Sequence, residues 1–398
     1  MGRKFNGDRL KSARIYNGLT LTELANKTEI SKQSISLYEN NKNIPDYDRV
    51  RTLSRVLGFP FEYFFQDNKI STLTETTYFR SLSTATKKHR MAQSVKLEYV
   101  AKMYEVLWSY LEFPIFQDPK VKFEGVDDAV ECENQFAINE IENAAQRVRD
   151  IWGVGKGPIK DLQYLLEEHG ILVTGFDIKE DKIDAFSQRT IVDGNDFYLI
   201  AVVTGRCSEC RLRFDMAHEL GHIILHPWSE DLETILKDEF KSRERQANMF
   251  ASAFLLPKDT FGKEIEKYPT DLNYYRFLKN KWKVSMQAMV YRTHQLEIIT
   301  TNQYQYLMRQ FSKKNWRSVE PDDFVGELNE SIFQGAIDCL FDNHILTPSR
   351  LMSEFKKHGI VLYPSMIEEL LHLRNKTLDV EDKVIPLFQI KNESDMDN

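Results

Sequence analysis

The chain has 398 residues, 42% of them apolar, which is long enough for two or three domains that each bury a core. Four scattered cysteines are too few for a disulfide framework, no apolar run approaches a membrane span, and the N-terminus lacks a signal-peptide core, so we expect a cytoplasmic protein without membrane contact. The net charge of −7 hides an uneven distribution: residues 1–69 carry 12 basic and 8 acidic residues, whereas residues 70–398 carry 41 and 52.

Residues 1–69 have the pattern of a small helical domain. Apolar residues recur there at helical spacing in three short blocks: Leu21, Leu24 and Ala25; Ile35 and Tyr38; Val50, Leu53 and Leu57. Ser31 is placed to cap a helix over residues 32–40, and residues 28–30 join it to the preceding helix. Two short helices with a tight turn, the second with polar residues on its outer side, are what a helix-turn-helix reader requires.

Residues 7–65 resemble the XRE family of phage-repressor-like DNA-binding domains. The resemblance implies that double-stranded DNA is bound through the polar residues of the second helix: Lys32, Gln33, Ser34 and Ser36. Gln33 and Ser34 would meet base edges, and Lys32 would meet a phosphate. Leu21 stands where the family often has glutamine, so base specificity does not carry over. An alternative use of the same fold is docking to a protein.

Residues 70–136 are predicted to be a helical connector. The segment begins rich in threonine and then continues, up to residue 112, as a long amphipathic helix with its apolar residues near one side: Val95, Leu97, Val100, Met103, Val106, Leu107 and Leu111. Such a helix either spaces two domains or pairs two chains in a homodimer, and the sequence leaves both alternatives open. Two prolines and an acidic stretch at 123–134 mark its end.

A helix-and-sheet layer is predicted next, from about residue 137. It contains a helix over residues 141–152, a strand at 171–175 and a buried strand at 197–205. This layer is a suitable scaffold for a cleft.

The stretch HELGHIILH, residues 218–226, carries the pattern of a metal site. His218 and His222 lie four residues apart, so both imidazoles project from one face of a helix and can reach one ion. Glu219 is close enough to hold a metal-bound water without being a ligand. His226 lies roughly 12 Å along the helix axis from His218, too far to share that ion, so we expect it to make a structural polar contact.

A third ligand has to come from downstream. The metzincin pattern is excluded because Leu225 and Trp228 occupy the positions that would need glycine and histidine. The downstream acidic candidates are Glu230, Asp231, Glu233, Asp238, Glu239 and Glu244. Glu244 is favoured because it falls on the apolar stripe of a helix over residues 244–257, where a buried carboxylate needs compensation. Asn248, one turn later, could hydrogen-bond a ligating histidine.

RLRFDMAHELGHIILH followed by ERQANMFASAFLLP is similar to the ImmA/IrrE family of zinc-dependent endopeptidases, over about residues 137–320. The resemblance implies one Zn²⁺ held by His218, His222 and Glu244, with Glu219 as the catalytic base. It also implies a protein substrate, a repressor or related regulator, in phage, mobile-element or stress-response control. Cys207 and Cys210 form a CxxC pair just before this motif, but two ligands without a second pair predict no site of their own.

The predicted fold class is mainly α with a small β-sheet (α+β). The predicted organisation is an all-α helix-turn-helix domain at 1–69, the connector at 70–136, a zincin-like peptidase domain at 137–320 and a C-terminal helical region at 321–398. That last region should form three or four helices, as an interaction or sensing module or as a cap on the peptidase, and its polar tail at 392–398 should be disordered.

Two functions from different classes are compatible with these patterns. One is a regulatory zinc endopeptidase with a DNA-binding head. The other is an XRE-family transcriptional regulator whose zinc site is non-catalytic and whose body senses a ligand or partner. The first is favoured because a structural zinc site has no need for Glu219 and is usually closed by four cysteine or histidine ligands.

Overall fold

The computed structural model describes residues 4–66, 74–79, 87–119, 135–176, 185–192, 195–205, 207–226 and 237–379. The predicted fold class is confirmed, since helices dominate around one small sheet. The acidic stretch at 123–134 and the predicted disordered tail lie outside the described residues.

Four helices and a 3-10 turn form the head: α1 (Gly7–Tyr16), α2 (Leu21–Thr28), α3 (Lys32–Glu39), α4 (Tyr47–Leu57) and the turn Phe61–Phe65. The predicted helix-turn-helix is confirmed in α2 and α3. Glu29 takes a left-handed conformation with φ 58°, which makes the tight turn between them, and the Ser31 side chain caps α3 by accepting from the backbone N–H of Ser34.

The segment that follows contains strand β1 (Thr74–Phe79) and helix α5 (Lys87–Trp108). The helix was predicted. The strand was not, because its pairing partner lies more than a hundred residues later in the chain. Local patterns carry no information about such a partner.

A four-stranded sheet holds the middle of the chain. Its elements are α6 (Gln135–Ile151), α7 (Leu162–Glu168), β2 (Ile171–Phe176), β3 (Ala185–Val192) and β4 (Asn195–Val203). The strand order is β1-β3-β4-β2, with β3 antiparallel to both neighbours and β2 parallel to β4. β2 and β4 match the predicted strands, whereas β3 was missed because its polar residues break the apolar pattern.

The remaining elements are all helical: α8 (Glu209–Leu225), α9 (Lys237–Leu255), a π turn at Lys258–Gly262, α10 (Lys263–Ile265), α11 (Leu272–Trp282), α12 (Met286–Gln295), α13 (Thr301–Lys313), α14 (Ile332–Asp342), α15 (Pro348–Lys357) and α16 (Pro364–Leu370). The last three agree with the helices predicted for the C-terminal region. Across the part of the chain that the structure describes, no helix has the length and apolarity needed to span a bilayer.

The sheet separates two hydrophobic cores, because successive strand residues point to opposite faces. Ile171 and Val173 belong to a core shared with helices α6 to α9 and α11 to α13. Leu172, between them, belongs to a second core shared with α5, α14, α15, α16 and the head. Helices α6 to α9 and α11 to α13 therefore pack on one face of the sheet, and α5, α14, α15, α16 and the head share the core on the other face.

Helix α5 joins the head to the body by direct packing. It contacts α1 on one side and β3, α15 and α16 on others, and it is buried at both Tyr99 and Tyr104. The Tyr63 hydroxyl of the head lies 2.8 Å from the Tyr99 hydroxyl, and Glu62 pairs with Lys356 of α15 at 2.6 Å. The apolar surface of the predicted connector helix thus packs against other parts of the same chain. The domain boundaries predicted from the sequence remain a prediction.

Candidate metal centre

The backbones of helices α8 and α9 lie almost in direct contact where Gly221 faces Ala247. A Cβ atom added to Gly221 of α8 would stand 3.1 Å from both the Cα and the carbonyl oxygen of Ala247 in α9. Ala247 and Ala251 are fully buried. Small residues on both helices therefore allow side chains one turn away on each helix to meet.

Two histidines of α8 and one glutamate of α9 meet at this contact. His218 and His222 are buried, and Glu244 keeps 17% of its side chain exposed. Their ligand atoms all lie within 4.8 Å of one another, the only such group of three in the described part of the chain. The two imidazole Nε2 atoms are 3.1 Å apart, and the Glu244 carboxylate oxygens lie 3.2 Å from Nε2 of His222 and 3.6 Å from Nε2 of His218.

Glu244 is ionised in this setting. Burial alone would raise the pKa of its carboxyl, but the adjacent His218 and His222 lower that pKa to about 2. A carboxylate of this kind in a largely buried position is suited to bind a cation.

Asn248 orients His218. Its amide nitrogen donates to the backbone carbonyl of Glu244 at 2.8 Å, so its carbonyl oxygen faces Nδ1 of His218 at 3.2 Å. An amide oxygen only accepts, so His218 carries its proton on Nδ1. That tautomer presents the lone pair of Nε2 to Glu244.

His226 and Gln246 form the equivalent arrangement behind His222. Nε2 of His226 lies 2.9 Å from the Gln246 side-chain oxygen, and Nδ1 of His226 lies 2.9 Å from Nδ1 of His222. Burial, reinforced by His222, holds the pKa of His226 well below its usual value, so the ring is neutral and has one N–H. His226 donates this N–H from Nε2 to the Gln246 oxygen, so its Nδ1 can only accept. His222 must therefore donate from its own Nδ1, and the lone pair of its Nε2 faces the cluster.

The three groups fit a divalent metal ion. Two imidazole nitrogens and one carboxylate converge in a largely buried position, where a bound cation would compensate the negative charge of Glu244. Nitrogen and oxygen donors in a two-histidine, one-glutamate set suit zinc. The structure therefore brings together the three residues that the sequence predicts as ligands, and their role as ligands remains a prediction.

Glu219 lies outside this cluster and is fully buried. The Ser187 hydroxyl of β3 donates to its carboxylate at 2.5 Å. Sequence reasoning missed Ser187, because the serine is 32 residues from Glu219 and on a strand that was not predicted. The alternation along β3 could have placed Ser187 on the same face as Ala185, which packs toward α8.

Other residues considered for the site lie elsewhere. Asp238 is exposed at the start of α9, and Glu239 pairs with Arg243 at 2.5 Å. Glu230, Asp231 and Glu233 lie outside the described residues. Cys207 and Cys210 flank the start of α8, where burial raises the pKa of the Cys210 thiol to about 12.

The predicted reading residues are at the outer start of α3. Lys32 and Gln33 are exposed, whereas Ser34 and Ser36 are partly buried. The Ser34 hydroxyl also accepts a hydrogen bond from the Ser31 hydroxyl at 2.8 Å. Lys32 and Gln33 are thus the more accessible members of the set.

A histidine pair on one helix and a glutamate on the next form a candidate metal site of the kind found in metallopeptidases. Comparison with protein families is in line with this: residues 166–294 match the IrrE N-terminal-like domain of the M78 peptidases, and residues 7–70 match a helix-turn-helix domain. The chain carries an XRE-type helix-turn-helix domain followed by an ImmA/IrrE-type peptidase domain, in the order that the sequence predicts. Curated proteins gave no significant match.

Proposed function

We propose that this protein is a zinc-dependent endopeptidase that cleaves a regulatory protein such as a repressor, and that its head binds double-stranded DNA. The observation that carries the proposal is the convergence of His218, His222 and Glu244, with each histidine oriented by its own partner. The finer assignment goes beyond the family matches, which support a peptidase domain and a DNA-binding domain.

The number of ligands favours catalysis over a structural role. Structural zinc sites are usually closed by four protein ligands, whereas catalytic sites keep one position for water or substrate. Three protein ligand atoms cluster in the described part of the chain, and Glu244 is partly exposed. A metal ion held by these three residues would therefore keep a position for water or substrate.

Each residue has a distinct role in the proposed site. His218, His222 and Glu244 would hold the zinc ion, and Asn248 and His226 would orient the two imidazoles. When bound, zinc supplies a Lewis acid that lowers the pKa of water and polarises a peptide carbonyl. Glu219 takes the proton from the attacking water and returns it to the leaving amine. Ser187 would orient the Glu219 carboxylate by donating a hydrogen bond to one of its oxygens.

The head supplies the regulatory context. Lys32 and Gln33 are exposed at the start of α3, where a phosphate contact and a bidentate contact to adenine are expected. The head packs directly on the body through α5, so DNA binding would place the peptidase at the operator. A repressor bound at or near that operator is the class of substrate this arrangement favours.

A substrate trap tests the proposal. Glu219→Gln should retain zinc, because Glu219 is outside the ligand cluster, and should abolish cleavage, because an amide cannot take the water proton. The full-length variant is co-expressed with the products of neighbouring genes, and a retained partner is then incubated with the parent protein. Glu239→Gln is the matched control, since it makes the same substitution at a carboxylate away from the cluster.

Cleavage of the trapped partner by the parent and by Glu239→Gln, with none by Glu219→Gln, would support the endopeptidase. If the zinc-loaded parent leaves the partner intact, or if Glu219→Gln cleaves it as fast as the parent, the peptidase proposal is wrong. A transcriptional regulator with a non-catalytic zinc site would then be the better description.

A further inference from the structure

A large groove lies beside the metal centre, between helices α6, α9, α12 and α13. Its volume is about 1150 Å³. Apolar and aromatic side chains provide the larger part of its exposed area, among them Phe214, Met249, Tyr291, Tyr304 and Met308, and polar side chains such as Gln287 and Thr301 lie between them. The charged residues in its lining are Arg245 and Glu297, of opposite sign. A concave surface with large apolar side chains, a few polar groups and few charges is typical of a site that takes apolar groups.

The groove borders the residues that surround the proposed zinc site. Asn248 lines the groove and also contacts His218 at 3.2 Å. Phe214, another lining residue, is one turn before His218 on α8. Glu244 is the one clustered ligand with appreciable exposure, and it lies one turn before Asn248 on α9. The partly exposed carboxylate of Glu244 and the groove therefore lie on adjacent turns of α9.

Several apolar side chains of the groove are exposed enough to contact a ligand, and Tyr291 is the clearest case. Its side chain is 47% exposed although it lines a concave surface. Met249 and Tyr304 are partly buried, so each has one side packed in the protein and another toward the groove. Exposed aromatic and methionine side chains are common in binding surfaces, because they offer large contact areas and adapt their shape.

We infer that this groove is the substrate cleft of the proposed peptidase, and that it selects bulky apolar or aromatic side chains next to the scissile bond. The inference rests on the proposed function, since a substrate enters the groove only if the metal centre acts on peptides. It adds the class of substrate sequence: an extended segment with apolar side chains at the cut site, of the kind exposed in an unfolded or loop region.

Peptide hydroxamates test the inference without a known substrate, because the hydroxamate group binds zinc and the side chains occupy neighbouring pockets. Three probes are compared on zinc-loaded, full-length protein by calorimetry: acetohydroxamic acid, acetyl-Phe-Phe hydroxamate and acetyl-Asp-Asp hydroxamate. The two dipeptides have the same backbone and differ only in their side chains. We expect the Phe-Phe probe to bind about tenfold or more tightly than the Asp-Asp probe.

Variants then locate the preference in the groove. Met249→Ala, beside Asn248, should weaken the Phe-Phe probe about fivefold and leave acetohydroxamic acid unchanged. Met249→Lys should shift the preference toward the Asp-Asp probe, because it adds a positive charge to an apolar wall. Tyr306→Ala is the control, since Tyr306 is an exposed α13 aromatic outside the groove lining, two residues from Tyr304.

The outcomes separate the groove from the zinc centre. If acetohydroxamic acid binds but the two dipeptides bind equally, the groove inference is wrong while the zinc centre stands. The same conclusion follows if Met249→Ala and Met249→Lys leave the preference intact, or if Tyr306→Ala removes it. If no probe binds to the zinc-loaded protein, the proposed centre fails, and the inference fails with it.

Discussion

The metal centre and the head place their functional side chains in opposite ways. At the centre, His218 and His222 are buried, and each is oriented by another side chain. At the head, Lys32 and Gln33 are exposed at the start of a helix. A buried site is organised before its ligand arrives, whereas an exposed reading surface takes its final geometry on the DNA. Substitutions should therefore act through orientation at the centre and through direct contact at the head.

Glu244→Ala should have the largest effect, because it removes a charged ligand. We expect zinc affinity to fall by more than about 100-fold, beyond the loss typical of residues that only support ligands. Competition with a chromogenic chelator measures the affinity. Glu239→Ala, on the same helix but paired with Arg243, is the control and should bind zinc as the parent does. Equal zinc binding by Glu244→Ala and the parent would remove Glu244 from the ligand set.

Gln246→Leu should come next, because it removes the acceptor for the Nε2 proton of His226. Nothing then keeps the proton of His226 on Nε2, so its Nδ1 is no longer fixed as the acceptor for His222. We expect zinc affinity to fall about 10–100-fold. His226→Ala should lose a similar amount, even though His226 itself is too far along the helix to share the ion. Zinc titration of both variants measures the effect.

Two further variants sharpen this expectation. Gln246→Glu keeps a hydrogen-bond acceptor at the same position, so it should bind zinc more tightly than Gln246→Leu and close to the parent. A purely structural role for Gln246 would not explain that difference. Gln246, His226 and His222 form one chain of hydrogen bonds, which we call the relay. The double variant of His226→Ala and Gln246→Leu should therefore lose no more zinc affinity than either single variant, since both changes interrupt this relay. Additive losses, or zinc binding by Gln246→Leu equal to that of the parent, would show that the relay does not orient His222.

Gln33→Ala at the head should have a comparable or smaller effect, and of a different kind. Losing a bidentate base contact should weaken binding to a specific operator by about 1–3 kcal/mol and relax base preference at one position. Lys32→Ala should instead weaken binding to all sequences alike and reduce the salt dependence. Fluorescence anisotropy with operator and random duplexes at two salt concentrations measures both. If neither variant changes DNA retention, the head serves as a protein-docking module.

The sequence was sufficient to predict those parts of the molecule that depend on local spacing. His218 and His222 are four residues apart on one helix, and the apolar stripe of α9 singled out Glu244 among six acidic residues. In the head, Ser31 and the helical spacing of apolar residues identified α2 and α3 in the same way. These features depend on neighbours within one or two helical turns.

The missing parts depend on contacts between distant segments. Ser187 reaches Glu219 only because β3 packs beside α8, and neither the strand nor its partner β1 shows a clear local pattern. His226 was assigned a polar contact, but its partner His222 could be identified only once the ring orientations were known. Gly221 was part of the recognised motif, yet its closeness to Ala247 needs both helices to be placed.

The central claim is that His218, His222 and Glu244 hold zinc in an open site. X-ray absorption at the zinc edge, on zinc-loaded full-length protein, tests this claim most directly. We expect a first coordination sphere of two imidazole nitrogens and carboxylate or water oxygen, at about 2.0–2.2 Å and without sulfur. The multiple-scattering signal of two imidazoles should fall to one in His222→Ala. Sulfur at about 2.3 Å would instead indicate Cys207 and Cys210 as ligands, and four protein ligands would indicate a closed structural site. Either result would contradict a catalytic centre built from His218, His222 and Glu244.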